Sequence, residues 1–240
     1  MAANHWLLGH PDRAHAGIQD GLRLANRLQH PLTQAIACWF AGWVAHQRGD
    51  REGTVAATER LSSLVREHQF TAWSDAAIVL LPAGRGDHLD RHALADLHRQ
   101  VMAVPGAAWR RLLCLCVIAE LCVEAGLADE GLRVLGSIDD RHRDTIFAPE
   151  VHRLEGELLL RRSPPDEEAA QRCFRRAMDL ARERGEKSLE LRAATSLARL
   201  LQRQGLREPA RQTLAGIYGW FTEGFDTADL RAAKGLLDLL

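Results

Sequence analysis

Hydrophobic residues recur every three to four positions over long stretches of the chain, and short polar segments rich in Gly or Pro separate these stretches. This period places the apolar side chains on one face of a helix, whereas a strand would alternate them. The pattern therefore predicts an all-α protein with thirteen helices. They are expected over residues 2–8, 12–29, 32–48, 51–68, 71–82, 89–103, 109–125, 128–138, 148–162, 166–184, 187–204, 207–220 and 227–239.

Glycines that end apolar helical segments recur at intervals of about 40 residues, which is a period typical of stacked helix–turn–helix units. They are Gly9, Gly49, Gly84, Gly126 and Gly205, and Ser163 stands where one more is expected. Each interval has room for two antiparallel helices. The charged segment at 139–145 is interpreted as a solvated loop between two units.

Small residues occupy equivalent positions in these units, seven residues before the turn, where they allow a neighbouring helix to approach closely. They are Gly42, Ala77, Ala119, Gly156 and Ala198. The second helices repeat a small residue, a large one four positions on and a small or apolar one three further on. Examples are Ala14, Ile18 and Gly21 near the start, and Ala210, Leu214 and Ile217 near the end.

The agreement of both helices predicts one domain over residues 1–240, a right-handed α-solenoid of about six tetratricopeptide-like units. Residues 217–240 are expected to form a C-terminal cap, because a solenoid must cover its last apolar face. The aromatic residues of this cap are Tyr218, Trp220, Phe221 and Phe225.

Composition agrees with a helical protein, since Leu and Ala are the commonest residues and aromatic residues make up only 5%. The formal net charge of -1 provides no positive field for nucleic acid or an anionic membrane. The most apolar segment, 112–125, carries Glu120 and Glu124, and no signal peptide is recognisable. The five cysteines form no regular framework, so buried reduced thiols in a cytoplasmic protein are expected.

Three segments in the last third of the chain carry a more specific pattern. They are HRLEGELLL at 152–160, KSLELRAATSLARL at 187–200 and YGWFTEGFDTADL at 218–230. The pattern resembles the C-terminal tetratricopeptide array of large bacterial signalling ATPases, in which a nucleotide cyclase or DNA-binding domain precedes an ATPase module. The resemblance is specific over 147–240 and looser over 1–146.

The resemblance implies a non-catalytic sensor or protein-interaction module that regulates an attached or partnering ATPase, nucleotide cyclase or transcriptional regulator. It carries over no catalytic residue. The chain also lacks a glycine-rich phosphate loop that ends in Gly-Lys-Ser or Gly-Lys-Thr, so no cofactor is expected.

The concave face of such an array is lined by the first helix of each unit, and counting from the small positions predicts a ligand or peptide groove there. Its residues are Trp39, Trp43, His46, Glu120, Glu124, Arg153, Glu157, Arg192, Arg199 and Arg203. The groove would run from aromatic through acidic to basic and accept a protein or peptide with apolar and acidic parts. In the alternative interpretation, the arginines pair with glutamates of the chain and the tryptophans belong to the core.

Two other functions stay open at this point. A stand-alone receptor for a short signalling peptide would use the same groove. A metal-dependent enzyme would need His88 and His92, which are four residues apart, with Asp96 as a further ligand. With eleven histidines in the chain such a pair arises easily by chance, so no metal site is predicted.

Overall fold

The computed structural model describes residues 1–139 and 147–240, which form thirteen α-helices and no strand. The predicted all-α class is therefore confirmed, whereas the predicted loop at 139–145 lies, except for Asp139, outside the described residues. The helices are α1 (Ala2–Leu7), α2 (Pro11–Leu28), α3 (Pro31–Arg48), α4 (Arg51–His68), α5 (Asp75–Arg85), α6 (Arg91–Ala103), α7 (Ala108–Ala125), α8 (Ala128–Gly136), α9 (Ala148–Leu159), α10 (Glu167–Arg184), α11 (Lys187–Arg203), α12 (Arg207–Tyr218) and α13 (Ala228–Leu239).

Aspartates begin three of these helices by accepting a hydrogen bond from a backbone N–H of the first turn. Asp50, Asp90 and Asp166 do so at 2.9, 2.9 and 3.0 Å, at the starts of α4, α6 and α10. Such caps satisfy N–H groups that have no partner inside the helix. Glycine ends several helices with a positive φ, as Gly49 and Gly126 do after α3 and α7.

The fifth predicted helix differs from the observed one. A short 3-10 turn covers Thr71–Trp73, and α5 then runs from Asp75 through Pro82 to Arg85. The turn glycine is Gly86, with φ +70°, and not Gly84 as the repeat spacing suggested. Gly84 lies inside α5, where an added Cβ would be 3.0 Å from side chains of α4. Close helix packing is therefore the reason for the glycine there.

Most helices pack mainly against their neighbours in the chain, and the odd-numbered helices also contact one another in succession. These contacts join α1 to α3, α3 to α5, α5 to α7, α7 to α9, α9 to α11 and α11 to α13. In addition, α1 contacts α11. The row of odd-numbered helices thus closes on itself and brings both ends of the chain together.

Some of the small residues make close helix contacts, whereas Gly21 does not, since an added Cβ there would meet no atom within 4 Å. A Cβ added to Gly156 of α9 would lie 2.5 Å from the ring of Phe174 in α10. A Cβ on Gly131 of α8 would lie 2.4 Å from Leu158 of α9. Because Cβ atoms do not approach other heavy atoms this closely, larger residues would push these helices apart.

A polar contact between the two ends of the chain, here called the clasp, consists of Asp12, Arg48, Glu223, Gly224 and Asp226. The backbone N–H of Asp12 donates to Oε1 of Glu223 at 3.1 Å, and the N–H of Gly224 donates to Oδ2 of Asp12 at 3.0 Å. Arg48 donates to Asp12 at 3.2 Å and reaches Asp226 at 3.4 Å. The clasp therefore joins α2 and α3 to the segment that precedes α13.

Four of the five cysteines are buried and the fifth, Cys173, is partly buried, and all five are free thiols, as predicted. Burial raises the pKa of each of them, which keeps the thiols protonated and unreactive. Within residues 1–139 and 147–240, no helix is long and apolar enough to cross a membrane.

Candidate functional site

The residues predicted to line a groove separate into three groups in the structure. Trp39 and Trp43 belong to the hydrophobic core. His46, Glu120, Arg153, Glu157 and Arg192 come together in the interior of the helical ring. Glu124, Arg199 and Arg203 are exposed.

The two tryptophans are 1% and 2% exposed, so they are not available to a ligand. The indole N–H of Trp39 donates to Oδ1 of Asp75 at 2.9 Å. The ring of Trp43 packs edge-on between Trp6, at 5.4 Å between ring centroids, and Phe147, at 5.6 Å. The alternative interpretation, which assigned them to the core, is the one the structure supports.

A cluster of charged and polar side chains, here called the central cluster, occupies the middle of the ring. Its members come from five odd-numbered helices and are His46 and Gln47 of α3, Glu120 of α7, Glu150 and Arg153 of α9, Arg192 of α11, and Asp229 of α13. The side chains are between 3% and 26% exposed where they form ion pairs. The cluster therefore lies in a partly desolvated environment, where charge pairs interact more strongly than at the surface.

Arg192 makes the most contacts in the central cluster. Its Nε donates to Oδ2 of Asp229 at 2.8 Å, and its Nη1 donates to Oε1 of Gln47 at 2.7 Å and to Oε1 of Glu150 at 3.3 Å. The guanidinium also lies 4.9 Å from the ring centroid of Trp6 in α1. One side chain thus contacts α1, α3, α9 and α13, which come from both halves of the chain.

Arg153 and His46 complete the cluster. Arg153 donates two hydrogen bonds to the buried carboxylate of Glu150, at 2.6 and 3.0 Å, which is a bidentate pair. Nε2 of His46 lies 2.9 Å from Oε2 of Glu120, whose other oxygen is 3.6 Å from Arg153 and 3.7 Å from Arg192. Each buried charge therefore has a partner of opposite sign, as burial requires.

The electrostatic effect of this arrangement is strongest at Glu120. Burial alone would raise the pKa of this carboxyl, but the hydrogen bond from His46 and the charges of His46, Arg192 and Arg153 lower the pKa to about 2. Burial also opposes the positive charge of Arg192, yet Asp229, Glu150 and Glu120 raise its pKa. Both groups are therefore firmly ionised at neutral pH.

Glu157 lies beside the cluster and is held by a different set of partners. Ser196 donates to its Oε1 at 2.7 Å, and Arg161 donates to its Oε2 at 3.0 Å. Burial tends to raise its pKa, but the charge of Arg153 and these two hydrogen bonds lower it. Glu157 thus links α9 to α11 and is an ionised acceptor whose oxygens are already occupied.

A cavity of about 250 Å³ remains next to the central cluster, between α7, α9, α11 and α13. Its lining includes Glu120, Arg153, Arg192, Thr195, Ser196, Arg199, Ala228, Asp229 and Ala232. Arg199 is exposed at this cavity and, among the described residues, forms no ion pair. The cavity wall therefore carries an unpaired positive charge. A carboxylate fits this small polar cavity.

Sequence reasoning missed Glu150 and Asp229 as site residues, whereas Gln47 was expected to face inward together with His46. A signal existed for the first, because Glu150 lies three residues before Arg153 and therefore on the same helical face. Gln47 follows His46 directly on the inner side of α3. No comparable signal existed for Asp229, whose position depends on closure of the ring.

The histidine pair considered for a metal is not assembled. His88 precedes the first residue of α6, Arg91, so His88 and His92 do not share the face of one helix, and both are exposed. Across residues 1–139 and 147–240, no three side chains of His, Cys, Asp or Glu are grouped so that they could hold a metal ion.

The comparisons with known proteins give no family assignment. No protein-family model matches the chain, and no curated protein matches it in sequence. The geometry of the central cluster and its cavity therefore supports the functional argument by itself.

Proposed function

We propose that the chain is a non-catalytic interaction module, built of about six tetratricopeptide-like units and a C-terminal cap, that binds an acidic group of a partner protein. Three features support the proposal of a repeat architecture. The odd-numbered helices contact one another in succession, the small positions Gly42 and Gly156 make close helix contacts, and the last third of the chain resembles known arrays.

The observation that carries the binding proposal is the unpaired guanidinium of Arg199 at the cavity beside the central cluster. Arg153 and Arg192 line the same cavity, and the hydroxyl groups of Thr195 and Ser196 add hydrogen-bonding groups. Arginine binds carboxylates through two parallel hydrogen bonds, which gives orientation as well as attraction. The carboxylate of an aspartate or glutamate side chain of a partner is the chemistry that fits.

The central cluster also offers a way in which binding changes the conformation. Asp229, in the first turn of α13, pairs with Arg192 at 2.8 Å and is 26% exposed. An acidic group entering the cavity competes with Asp229 for Arg192. The competition loosens α13 from α11 and transmits binding to the C-terminal cap, and from there to an attached or partnering ATPase, cyclase or transcriptional regulator.

The test uses a labelled peptide of alternating Glu and Leu, with its Gln–Leu counterpart as the uncharged probe, and fluorescence anisotropy with the full chain. The Glu–Leu peptide should bind more tightly, and Arg199→Glu should weaken its binding at least tenfold while the helical circular dichroism stays unchanged. Arg211→Glu, an exposed arginine of α12 outside the cavity, is the matched control. Equal binding of both peptides, or equal loss in both variants, contradicts the proposal.

A stand-alone receptor for a short signalling peptide is the second candidate. The size of the cavity favours it, because about 250 Å³ accommodates one side chain or a chain terminus and not an extended segment. Peptides with a free C-terminal carboxylate and their amidated forms distinguish the two functions. Binding of the free-acid form alone favours recognition of a peptide terminus, whereas equal binding of both favours an internal acidic side chain.

A further inference from the structure

A second and larger cleft, of about 580 Å³, lies between α10, α11 and α12. Its residues include Arg175, Arg182, Lys187, Glu190, Gly216 and Trp220. None of the residues that line it also lines the cavity beside the central cluster. Its volume lies within the range of small-molecule sites in proteins, about 300 to 1,000 Å³.

The charges in this cleft are organised around Glu190, a buried carboxylate that is only 5% exposed. Arg182 donates to its Oε1 at 2.7 Å and Lys187 donates to its Oε2 at 2.8 Å. Both oxygens are occupied, so Glu190 holds these two cations in fixed positions. Arg182 also lies 3.8 Å from Asp179, an exposed carboxylate at the cleft.

Arg175 adds a cation that is not neutralised. It is exposed on α10 and, among the residues that the structure describes, it has no acidic partner. The lining therefore carries three cationic and two acidic side chains, the latter being Asp179 and Glu190. This excess of positive charge attracts an anion to a place where three N–H donor groups are available.

Trp220 supplies a different kind of surface. Its indole is 40% exposed although it packs against the backbone near Gly9, and Lys187 Nζ lies 5.8 Å from its ring centroid. The exposed part of the ring is available to stack on a planar ligand, and the neighbouring cations are available to bind its negative group. Gly216 leaves open space, since an added Cβ there would meet no atom within 4 Å.

We propose that this cleft binds a small planar aromatic anion, with its ring against Trp220 and its carboxylate or phosphate between Arg175, Arg182 and Lys187. The site is independent of the acidic-group binding proposed above, because the two share no residue. It gives the chain a small-molecule input in addition to a protein partner.

The test is isothermal titration of the full chain with four probes at low and high salt. Adenosine 5′-monophosphate and indole-3-acetate combine a ring with a phosphate or a carboxylate, and their relative affinities distinguish these two anions. Adenosine and ribose 5-phosphate each lack one of the two parts. We expect at least one ring anion to bind at least tenfold more tightly than adenosine and ribose 5-phosphate, and to weaken with salt.

Two pairs of variants locate the binding. Arg175→Glu removes the unpaired cation, whereas Arg176→Glu makes the same change at an exposed neighbour outside the cleft. Gly216→Leu fills the cleft without a Cβ clash, and Gly235→Leu makes the same change on α13, also in open space. The first member of each pair should lower the affinity for the ring anion at least tenfold. The second should keep this affinity within twofold of that of the unsubstituted chain.

Trp220→Leu gives a further measure but also touches the contact with Gly9, so Gly216→Leu is the decisive variant. Circular dichroism of each variant shows whether the helices are retained. The proposal is overturned if neither ring anion binds the folded chain at millimolar concentration, if adenosine or ribose 5-phosphate alone binds equally well, or if each variant behaves like its control.

Discussion

The carboxylate of Glu223 caps the N-terminus of the helix that contains Asp12, although the two residues are 211 positions apart in the chain. Glu223 accepts the backbone N–H groups of Asp12 and Arg13, both at 3.1 Å, and the carboxylate of Asp12 accepts the N–H of Gly224 in return. Capping of this kind is ordinarily local. Here it is a tertiary contact that joins the two ends of the ring.

Removing this cap tests how much the clasp contributes to stability. Glu223→Ala should lower the free energy of unfolding by about 1–2 kcal/mol, since two helix N–H groups lose their acceptor. Urea denaturation measures the change. Glu208→Ala is the control, because Glu208 is an exposed acid in the first turn of α12 and should change stability by less than about 0.5 kcal/mol. Equal losses in the two variants would show that the clasp is not important.

The charges around Glu120 in the central cluster predict that the stability of the protein falls at acidic pH. The folded pKa of Glu120 is lowered to about 2 from an ordinary value of 4.5, so its ionised form stabilises the protein above pH 4.5 and this contribution is lost as pH falls towards 2. Glu120→Gln should therefore cost about 2–3 kcal/mol at pH 7 and little near pH 2.

Urea denaturation across this pH range measures the effect, with Glu124→Gln as the control. Glu124 is the exposed glutamate one helical turn further along α7. A cost for Glu120→Gln that does not change with pH would contradict the role assigned to its charge.

Glu186 predicts the opposite dependence. Burial raises the pKa of its carboxyl to about 7, although the charge of Arg184 lowers it in part, and Oε2 has no hydrogen-bond partner. A raised pKa means that ionisation disfavours the folded state, so the group reduces stability as pH rises from 4.5 through 7. Glu186→Gln should stabilise the protein at pH 8, by at most about 3 kcal/mol, and have little effect at pH 4.

Thermal denaturation at pH 4 and pH 8 measures this difference. The control is Glu183→Gln, which changes an exposed glutamate near the end of α10. If Glu186→Gln lowers stability at pH 8, the carboxylate is making a favourable interaction and the prediction is wrong.

Two glycines on helices, one in close contact with a neighbouring helix and one in open space, test the packing argument. Gly156→Ala should destabilise the protein by about 1–3 kcal/mol, because the added methyl group meets Phe174 at 2.5 Å. Gly216→Ala should stabilise it by up to about 1 kcal/mol, because its Cβ meets nothing and alanine favours a helix. Denaturation midpoints of the two variants should therefore move in opposite directions, and a shared direction would reject the packing argument.

Local features of the structure could be predicted from the sequence. Thirteen helices were expected from periodicity and thirteen are present in the described residues, because helical period and capping depend on residues within a few positions. The small residue Gly156 likewise indicated a close helix contact before its partner was known. The main difference, at Gly84, arose where a buried glycine inside a helix resembled a turn glycine.

The candidate site was predictable only in part. Five of the predicted residues do meet in or beside the central cluster, because their helix faces were assigned correctly. Their partners depend on closure of the ring, and no local pattern contains the pairing of Arg192 with Gln47, 145 positions earlier. An open groove was expected, but two of the arginines predicted to line it, Arg153 and Arg192, instead pair with the protein's own carboxylates, whereas Arg199 is unpaired among the described residues.

Closure has a consequence for how the molecule comes apart. In a row of helices that contact only their neighbours, either end can fray while the rest remains folded. Here α1 contacts α11, and the clasp ties α2 and α3 to the segment before α13. Opening one end of the chain therefore also exposes the surface of the other end that packs against it. The backbone amides of α2 and α13 should therefore exchange with solvent together, as one cooperative unit formed from opposite ends of the chain.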